Sequence, residues 1–434
     1  MYSRSNNNVG NLHVGIAKLV AMAAILWSFP AQSQALPDSQ KTSGFLSTTA
    51  ARLQAIKLPD NVQIHGFATQ GYLNTTGNNN VFGNSSQDSG TFGFREVGIN
   101  ASVQLFPNLL ISAQGIHRHA GQGSQDARLD YGLVDYKAYS SENSQFGIRL
   151  GRIKNPLGFY NETRDVAHTR PSIMLPQSIY FDRSRNLALA ADGGHVYGET
   201  RTNKGDFSYQ FGVVMPTVSG ASGTTTEAAL LGSDRPGNLS SQVSYIGRGM
   251  YEYDGGRVRL AVSGAQMNVG YKPGTDILHA GSIQFSPIIF SAQYNAERWS
   301  LTSEYAIRHI TYTNFGVSSL NLDFIGESYY FQGIYRFTPK WEGVLRYDAL
   351  YTNRADRSGH DYAASTGRPA FNRFAKDLTT GIRWNVTPSF MLAAEHHYVN
   401  GTAWLAPLDN PNLNIANQHS QHWHLFAVQG SYRF

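Results

Sequence analysis

A regular alternation of residue types runs through Trp341-Glu-Gly-Val-Leu-Arg-Tyr-Asp-Ala-Leu-Tyr351. A period of two predicts a β-strand with one apolar face and one polar face. Strands of soluble proteins are usually about 5–6 residues long, whereas a strand that crosses a bilayer needs about 9–11. The length of this stretch therefore favours a membrane strand. Its apolar face would carry Trp341, Leu345, Tyr347, Ala349 and Tyr351, and its polar face Glu342, Arg346 and Asp348.

From about Asn61 onward the chain repeats this pattern, with turn residues between the repeats. Tight turns such as Pro107-Asn108 and Gly255-Gly256 follow the even-numbered strands, and mostly longer links follow the odd-numbered ones. That alternation is typical of an up-and-down barrel with short periplasmic turns and long external loops. We predict an all-β fold: a transmembrane antiparallel up-and-down β-barrel of about sixteen strands, with about 14 or 18 as alternatives. The predicted strands are 62–74, 92–106, 109–118, 127–140, 145–152, 194–202, 206–215, 242–254, 257–270, 280–295, 298–312, 328–337, 341–352, 374–386, 390–400 and 422–434.

The composition excludes several classes of protein. Charged residues make up 15% of the 434 residues, below the roughly 25% of ordinary soluble domains. The chain has no cysteine, which excludes disulfides and thiolate chemistry. Beyond the N-terminal segment it has no apolar run of about 20 residues, so membrane-spanning helices are not expected. The formal net charge of +5 is too small to indicate nucleic-acid binding.

The N-terminal segment is predicted to be a secretory signal peptide. Arg4 and Lys18 precede an apolar core, residues 19–29, that is too short to span a bilayer. Ser33 and Ala35 then place small residues around a cleavage site. An N-terminal anchor helix is the alternative. The predicted organisation is a signal peptide at 1–35, a short N-terminal periplasmic segment at 36–60, and the barrel at 61–434.

The chain resembles the Gram-negative outer-membrane porin superfamily over nearly its whole predicted mature length. Besides the architecture, the resemblance rests on Ile64-His-Gly-Phe-Ala-Thr-Gln-Gly-Tyr72, on Arg149-Leu-Gly-Arg152 and on the terminal Ser431-Tyr-Arg-Phe434. It implies a homotrimer in the outer membrane of a Gram-negative bacterium, in contact with outer-membrane lipid. It also implies that Phe434 belongs to a signal read by the barrel-assembly machinery. Within the superfamily the chain looks closest to the phosphate-selective or substrate-specific type.

The longest link, residues 153–192, is the candidate constriction. The resemblance implies that this third external loop folds inward and narrows the channel. A structureless link of about 40 residues is rare unless it is functional, and a solvated external loop is the alternative. Arg164, Arg170, Arg183 and Arg185 are expected to meet the solute. The candidate constriction and selectivity residues are Lys154, Glu162, Arg164, Asp165, Arg170, Asp182, Arg183 and Arg185.

Charged residues within strands are expected on the inner wall, because Arg or Lys facing lipid would cost about 2–4 kcal/mol at the midplane. Positive and negative side chains on that wall are nearly balanced, which predicts only a mild preference for anions. Trp299, Trp341 and Trp384 fall on the apolar faces near strand ends and are expected to form an aromatic girdle. The candidate wall residues are Arg149, Glu304, Arg308, Arg346, Asp348 and Arg383.

The predicted function is passive diffusion of small hydrophilic solutes and ions through a mildly anion-preferring channel. The alternative is a substrate-specific channel for phosphate or small carboxylates with a saturable site. A structural or adhesive barrel and a barrel hydrolase are less favoured. The chain has no GxSxG or HExxH motif, and pairs such as His422 and His424 lack an identifiable third metal ligand. We therefore expect no enzymatic activity, no metal and no cofactor.

Overall fold

A computed structural model describes residues 59–121, 127–218, 225–231 and 235–434. The predicted signal peptide and nearly all of the predicted periplasmic segment, 36–60, lie outside these residues. In the described part of the chain, no helix is both long and apolar enough to cross a membrane.

The described strands form one closed antiparallel sheet of sixteen strands, which confirms the predicted up-and-down barrel. One strand, β8, is interrupted at Gln242 and Val243, and both of its segments pair with the strand that follows. The strands are β1 (Val62–Thr75), β2 (Thr91–Phe106), β3 (Leu109–Ala120), β4 (Ala127–Ser140), β5 (Ser144–Lys154), β6 (Ala190–Thr202), β7 (Gly205–Pro216), β8 (Asn238–Ser241 and Ser244–Tyr253), β9 (Val258–Lys272), β10 (Ser282–Asn295), β11 (Trp299–Thr313), β12 (Leu322–Thr338), β13 (Trp341–Tyr351), β14 (Phe374–Asn385), β15 (Phe390–Gly401) and β16 (His422–Arg433), and the helices are α1 (Arg185–Leu189), α2 (Thr225–Leu231) and α3 (His360–Thr366).

The first and last strands close the barrel. β1 and β16 pair in register from Phe67 opposite Arg433 to Thr75 opposite Leu425. Beyond that ladder, the Phe434 N–H donates to the Gly66 carbonyl at 3.0 Å, and the Gly66 N–H donates back to the Phe434 carbonyl at 3.1 Å. The C-terminal residue thus lies in the seam of the barrel.

Side chains alternate between an outer apolar face and an inner polar face. In β13, Leu345 is 57% exposed and Tyr347 39%, whereas the intervening Arg346 and Asp348 are 1% and 2% exposed. The same period places apolar side chains such as Phe211 and Leu301 on the outside of other strands. This reversal of the usual soluble pattern is what a membrane-facing barrel wall requires.

The tight turns lie where they were predicted, but three strands begin several residues earlier than predicted, among them β8, which begins at Asn238 instead of residue 242. Pro107-Asn108 joins β2 to β3, and Gly255 and Gly256 adopt the positive φ angles of 63° and 87° that the turn between β8 and β9 needs. β6, however, begins at Ala190, because its ladder with β5 continues through Asp192 to Ala190 opposite Lys154. Gly193 and Gly194 hide the period of two there. β12 likewise begins at Leu322, six residues before the predicted start.

The link between β5 and β6 is therefore residues 155–189, which we call the inner segment. It is shorter than the predicted 153–192, and Lys154 is the last residue of β5 rather than a loop residue. Its apolar side chains are buried in three clusters with wall residues: Leu157 and Leu187 pack with the side of β9–β11, Ile173 and Met174 with residues of β1 and β16, and Leu175 and Tyr180 with Tyr330 of β12.

Candidate functional site in the barrel interior

The inner segment contacts inner-face side chains from many strands of the wall. Four wall carboxylates receive hydrogen bonds or ion pairs from it, and each is at most 3% exposed. They lie on β2, β11, β13 and β15, no two of which are neighbours in the sheet. We call them the anchor carboxylates. They are Glu96, Glu304, Asp348 and Glu395.

Glu304 has no cation within ion-pair distance among the described residues. The backbone N–H of Phe159 donates to it at 2.9 Å and the Tyr180 hydroxyl at 2.5 Å, both from the inner segment. Wall hydroxyls of Ser291 and Tyr330 donate to it at 2.6 and 3.0 Å. Burial, followed by the neighbouring Glu304 carboxylate, raises the pKa of Tyr180 well above its usual value, so the phenol stays protonated as a donor.

Glu96 is held by charge. Arg118 of β3 approaches one carboxylate oxygen at 2.9 Å, and Arg170 of the inner segment approaches the other at 2.9 Å. Arg118 also binds Asp182 of the inner segment at 2.9 Å. Buried charges of this kind are tolerated because each is paired and hydrogen-bonded.

The ion pairs around Glu96 extend into a larger group, which we call the arginine cluster. Asp182 also lies 3.4 Å from Arg164 and 3.7 Å from Arg185. Asp165 pairs with both Arg185 and Lys154, and Lys154 also pairs with Asp130 at 2.6 Å. The cluster joins five cations to four carboxylates. Its members are Arg118, Lys154, Arg164, Arg170, Arg185, Glu96, Asp130, Asp165 and Asp182.

Three of the arginines expected to meet solute are enclosed in this cluster. Arg164, Arg170 and Arg185 are 2–4% exposed. Their guanidinium groups contact carboxylates of the protein, whereas the sequence predicts that they meet the solute. Burial lowers the pKa of Arg164 to about 10, which leaves it cationic at neutral pH.

A second group lies across β13, β14 and β15, and we call it the carboxylate cluster: Asp348, Asp377 and Glu395 with His397. His397 lies 2.8 Å from Asp377 and 3.3 Å from Glu395. Two of its carboxylates accept backbone N–H groups of the inner segment: Glu395 from Ile173 and Met174, and Asp348 from Ser178 at 3.2 Å. Arg346 beside them donates to the Ser172 hydroxyl at 2.7 Å and the Met174 carbonyl at 3.1 Å.

Other residues predicted for the site lie outside the two clusters, either on the inner segment or on the inner wall. Glu162 pairs with Arg248 of β8 at 2.6 Å, and its side chain is 29% exposed. Arg149 pairs with Asp135 at 2.8 Å. Arg383 donates to the backbone carbonyl of Arg170, so it too contacts the inner segment.

Arg183 and Arg308 form a further pair. Their guanidinium carbons lie 5.6 and 4.9 Å from the centre of the same ring, that of Phe181. Among the described residues neither arginine has a carboxylate within ion-pair distance. Arg308 instead donates to two backbone carbonyls, and Arg183 donates to the Ala403 carbonyl at 2.6 Å.

Sequence reasoning missed some members of these groups. The candidate site residues do not include Arg118, Asp130 and Arg248, although the alternation of side chains along their strands places each on an inner face. Their importance depends on partners far away in the chain, such as Asp182 for Arg118, and no local pattern reveals that pairing.

No family model and no curated protein matches this sequence. Solved structures do match the fold. The outer membrane channel DcaP of Acinetobacter baumannii aligns with a TM-score of 0.53 and 10% identity over 86% of this chain and 97% of that one. The chain has a porin fold. OprB of Pseudomonas putida aligns with a TM-score of 0.53 and 10% identity over 90% and 97% of the two chains. The trimer form of the outer membrane protein OmpT of Vibrio cholerae aligns with a TM-score of 0.51 and 9% identity over 86% of this chain and 99% of that one. At these identities the likeness concerns the fold alone.

Proposed function

We propose that this protein is an outer-membrane porin, a passive channel for small hydrophilic solutes and ions. Apolar side chains cover the outer face of the barrel and charged side chains line the inner face, the arrangement suited to water inside and lipid outside. The porin fold supports the location in a Gram-negative outer membrane. Transport through such a channel follows the concentration gradient and requires no catalytic group.

The observation that carries the proposal is the course of the inner segment. It contacts anchor carboxylates on four separated strands, so it crosses the interior instead of extending away from the barrel. A segment in that position sets the narrowest cross-section. Glu162, paired with Arg248 and partly exposed, is the predicted site residue of the segment best placed to border the passage.

The charges of the interior favour a mild anion preference. Arg183 and Arg308 contribute two cations that have no carboxylate within ion-pair distance among the described residues. The carboxylate cluster opposes this surplus from another part of the wall. Charges of opposite sign on separate walls bias permeation without excluding either ion.

A homotrimer and assembly by the barrel-assembly machinery belong to the same proposal. A trimer form is described for OmpT of Vibrio cholerae, whose fold is similar. Phe434 follows the last strand directly and lies in the closing seam, where an assembly factor reading the C-terminus would find it as the barrel closes. A substrate-specific anion channel remains the second candidate, favoured by the two arginines without carboxylate partners.

Single-channel recording of the refolded mature protein in a planar bilayer tests the proposal. With a potassium chloride gradient across the bilayer, we expect steady current steps and a small reversal potential of the sign that anions produce. Current that saturates at low solute concentration would favour the substrate-specific channel. Absence of steps from protein shown to be folded would overturn both.

A further inference from the structure

A cleft opens between the inner segment and two external links, residues 76–90 and 402–421. Arg183 and Asp182 line it from the inner segment, and Trp404 and Asp409 line it from the last external link. Apolar side chains, including Met174, complete its wall. The cleft borders the arginine cluster, because Arg118 and Arg185 also line it, but none of the four anchor carboxylates does.

Two hydrogen-bond donors in this cleft lack the partners such groups normally have. The indole Nε1 of Trp404 is buried and has no hydrogen-bond partner among the described residues, although the side chain is only 6% exposed. Buried tryptophan N–H groups usually find an acceptor. Arg183 has no carboxylate within ion-pair distance in the described part of the chain, and Arg308 shares the ring of Phe181 with it. Among the described residues, neither donor has an anionic acceptor of its own.

We propose that the cleft binds a small carboxylate monoanion, with Arg183 and the Trp404 indole N–H as its donors. This rests on the proposed channel function, because it names the solute class that the channel would retain. A carboxylate has two oxygens, which match the planar fork of a guanidinium and leave lone pairs for a third donor. The apolar wall suits a short hydrocarbon group. Arg118 and Arg185 also line the cleft but are paired with Asp182, and Asp409 adds a negative charge, so the charge available to a ligand favours a monoanion over a dianion such as sulfate.

The indole signals of the protein give a direct test. The chain has six tryptophans, and Trp27 lies in the predicted signal peptide, so ¹⁵N spectra of the mature protein contain few indole signals. Trp404→Phe identifies the Trp404 signal by its loss and keeps an aromatic ring in contact with Trp423. On titration with sodium acetate, we expect the Trp404 signal to shift and saturate. Neutral acetamide and sulfate should leave it nearly unmoved.

Matched arginine variants show whether the charge of Arg183 is responsible. Arg183→Gln should weaken acetate binding at least about tenfold, as expected when a charge-assisted contact is lost. Arg336→Gln removes an equal charge from an inner-face residue that is paired with Glu342 and 49% exposed, and should leave binding unchanged. A Trp404 signal that does not respond to acetate, or responds equally in Arg183→Gln, overturns the proposal.

Conductance separates this inference from the proposed function. In potassium acetate, the wild-type current should saturate with concentration, and Trp404→Phe and Arg183→Gln should both make it more nearly linear. Steady chloride steps without any acetate binding would overturn the carboxylate site and leave the channel in place. Absence of chloride steps would overturn the channel itself.

Discussion

The arginine cluster and the carboxylate cluster hold the same inner segment by different means. In the arginine cluster every carboxylate lies within 4.0 Å of at least one cation, as Glu96 does with Arg118 and Arg170. In the carboxylate cluster, Glu395 and Asp348 accept backbone N–H groups of the segment, and Glu395 also lies 3.3 Å from His397. The difference teaches that buried carboxylates can hold a segment through ion pairs with its side chains or through hydrogen bonds from its backbone, and the two arrangements should fail differently.

The largest effect is expected from breaking the ion pairs of Glu96. Glu96→Gln leaves Arg118 and Arg170 buried beside a neutral amide, and removing one partner of a buried ion pair typically costs about 3–5 kcal/mol. We expect a large fall in the free energy of unfolding in lipid vesicles, measured by urea titration.

Glu199→Gln is the matched control. Its partner Arg201 is 62% exposed, and exposed ion pairs contribute little to stability. Equal losses in the two variants would show that burial of the Glu96 pairs does not determine their contribution.

A smaller and more local effect is expected from breaking the backbone hydrogen bonds that Glu395 accepts. Glu395→Gln replaces one acceptor oxygen with an NH2 group that cannot accept, so one of the Ile173 and Met174 N–H groups loses its partner, at a cost of about 1–3 kcal/mol for an unsatisfied buried group. Hydrogen exchange at the Ile173 and Met174 amides should accelerate, while global stability changes less than in Glu96→Gln.

Asp377→Asn tests whether the effect needs direct contact. Asp377 binds His397 in the same cluster and accepts no described hydrogen bond from the inner segment. Exchange at Ile173 and Met174 should stay close to the wild-type rate. Acceleration as large as in Glu395→Gln would contradict the local account.

The smallest effect is expected at Glu304, which has four donors. Tyr180→Phe removes one of them, from the inner segment, and a single hydrogen bond contributes about 0.5–1.5 kcal/mol. We expect more frequent brief fluctuations of the single-channel current. Tyr330→Phe removes a donor to the same carboxylate, but from the wall. Its single-channel current should fluctuate less than that of Tyr180→Phe. Equal current fluctuations in both variants would show that the position of the inner segment does not determine the current.

Much of the fold could be predicted from the sequence, because the period of two and the turn residues are local signals. The strand count and the turn at Gly255-Gly256 were predicted correctly for that reason. The start of β6 could not be predicted, because Gly193 and Gly194 have no side chains to show the alternation. The pairing of Arg170 with Glu96 could not be predicted either. Those residues are far apart in the chain, and only closure of the barrel brings them together.

The central claim is that the inner segment borders the conducting passage, and a single introduced cysteine tests it most directly. The chain has no native cysteine, so Glu162→Cys provides one reactive thiol. A negatively charged methanethiosulfonate reagent should reduce the single-channel current of this variant in a stepwise manner. Tyr209→Cys, on the outer face where the native side chain is 51% exposed, should be unaffected. Unchanged current from Glu162→Cys protein shown by mass spectrometry to be fully modified would contradict the account.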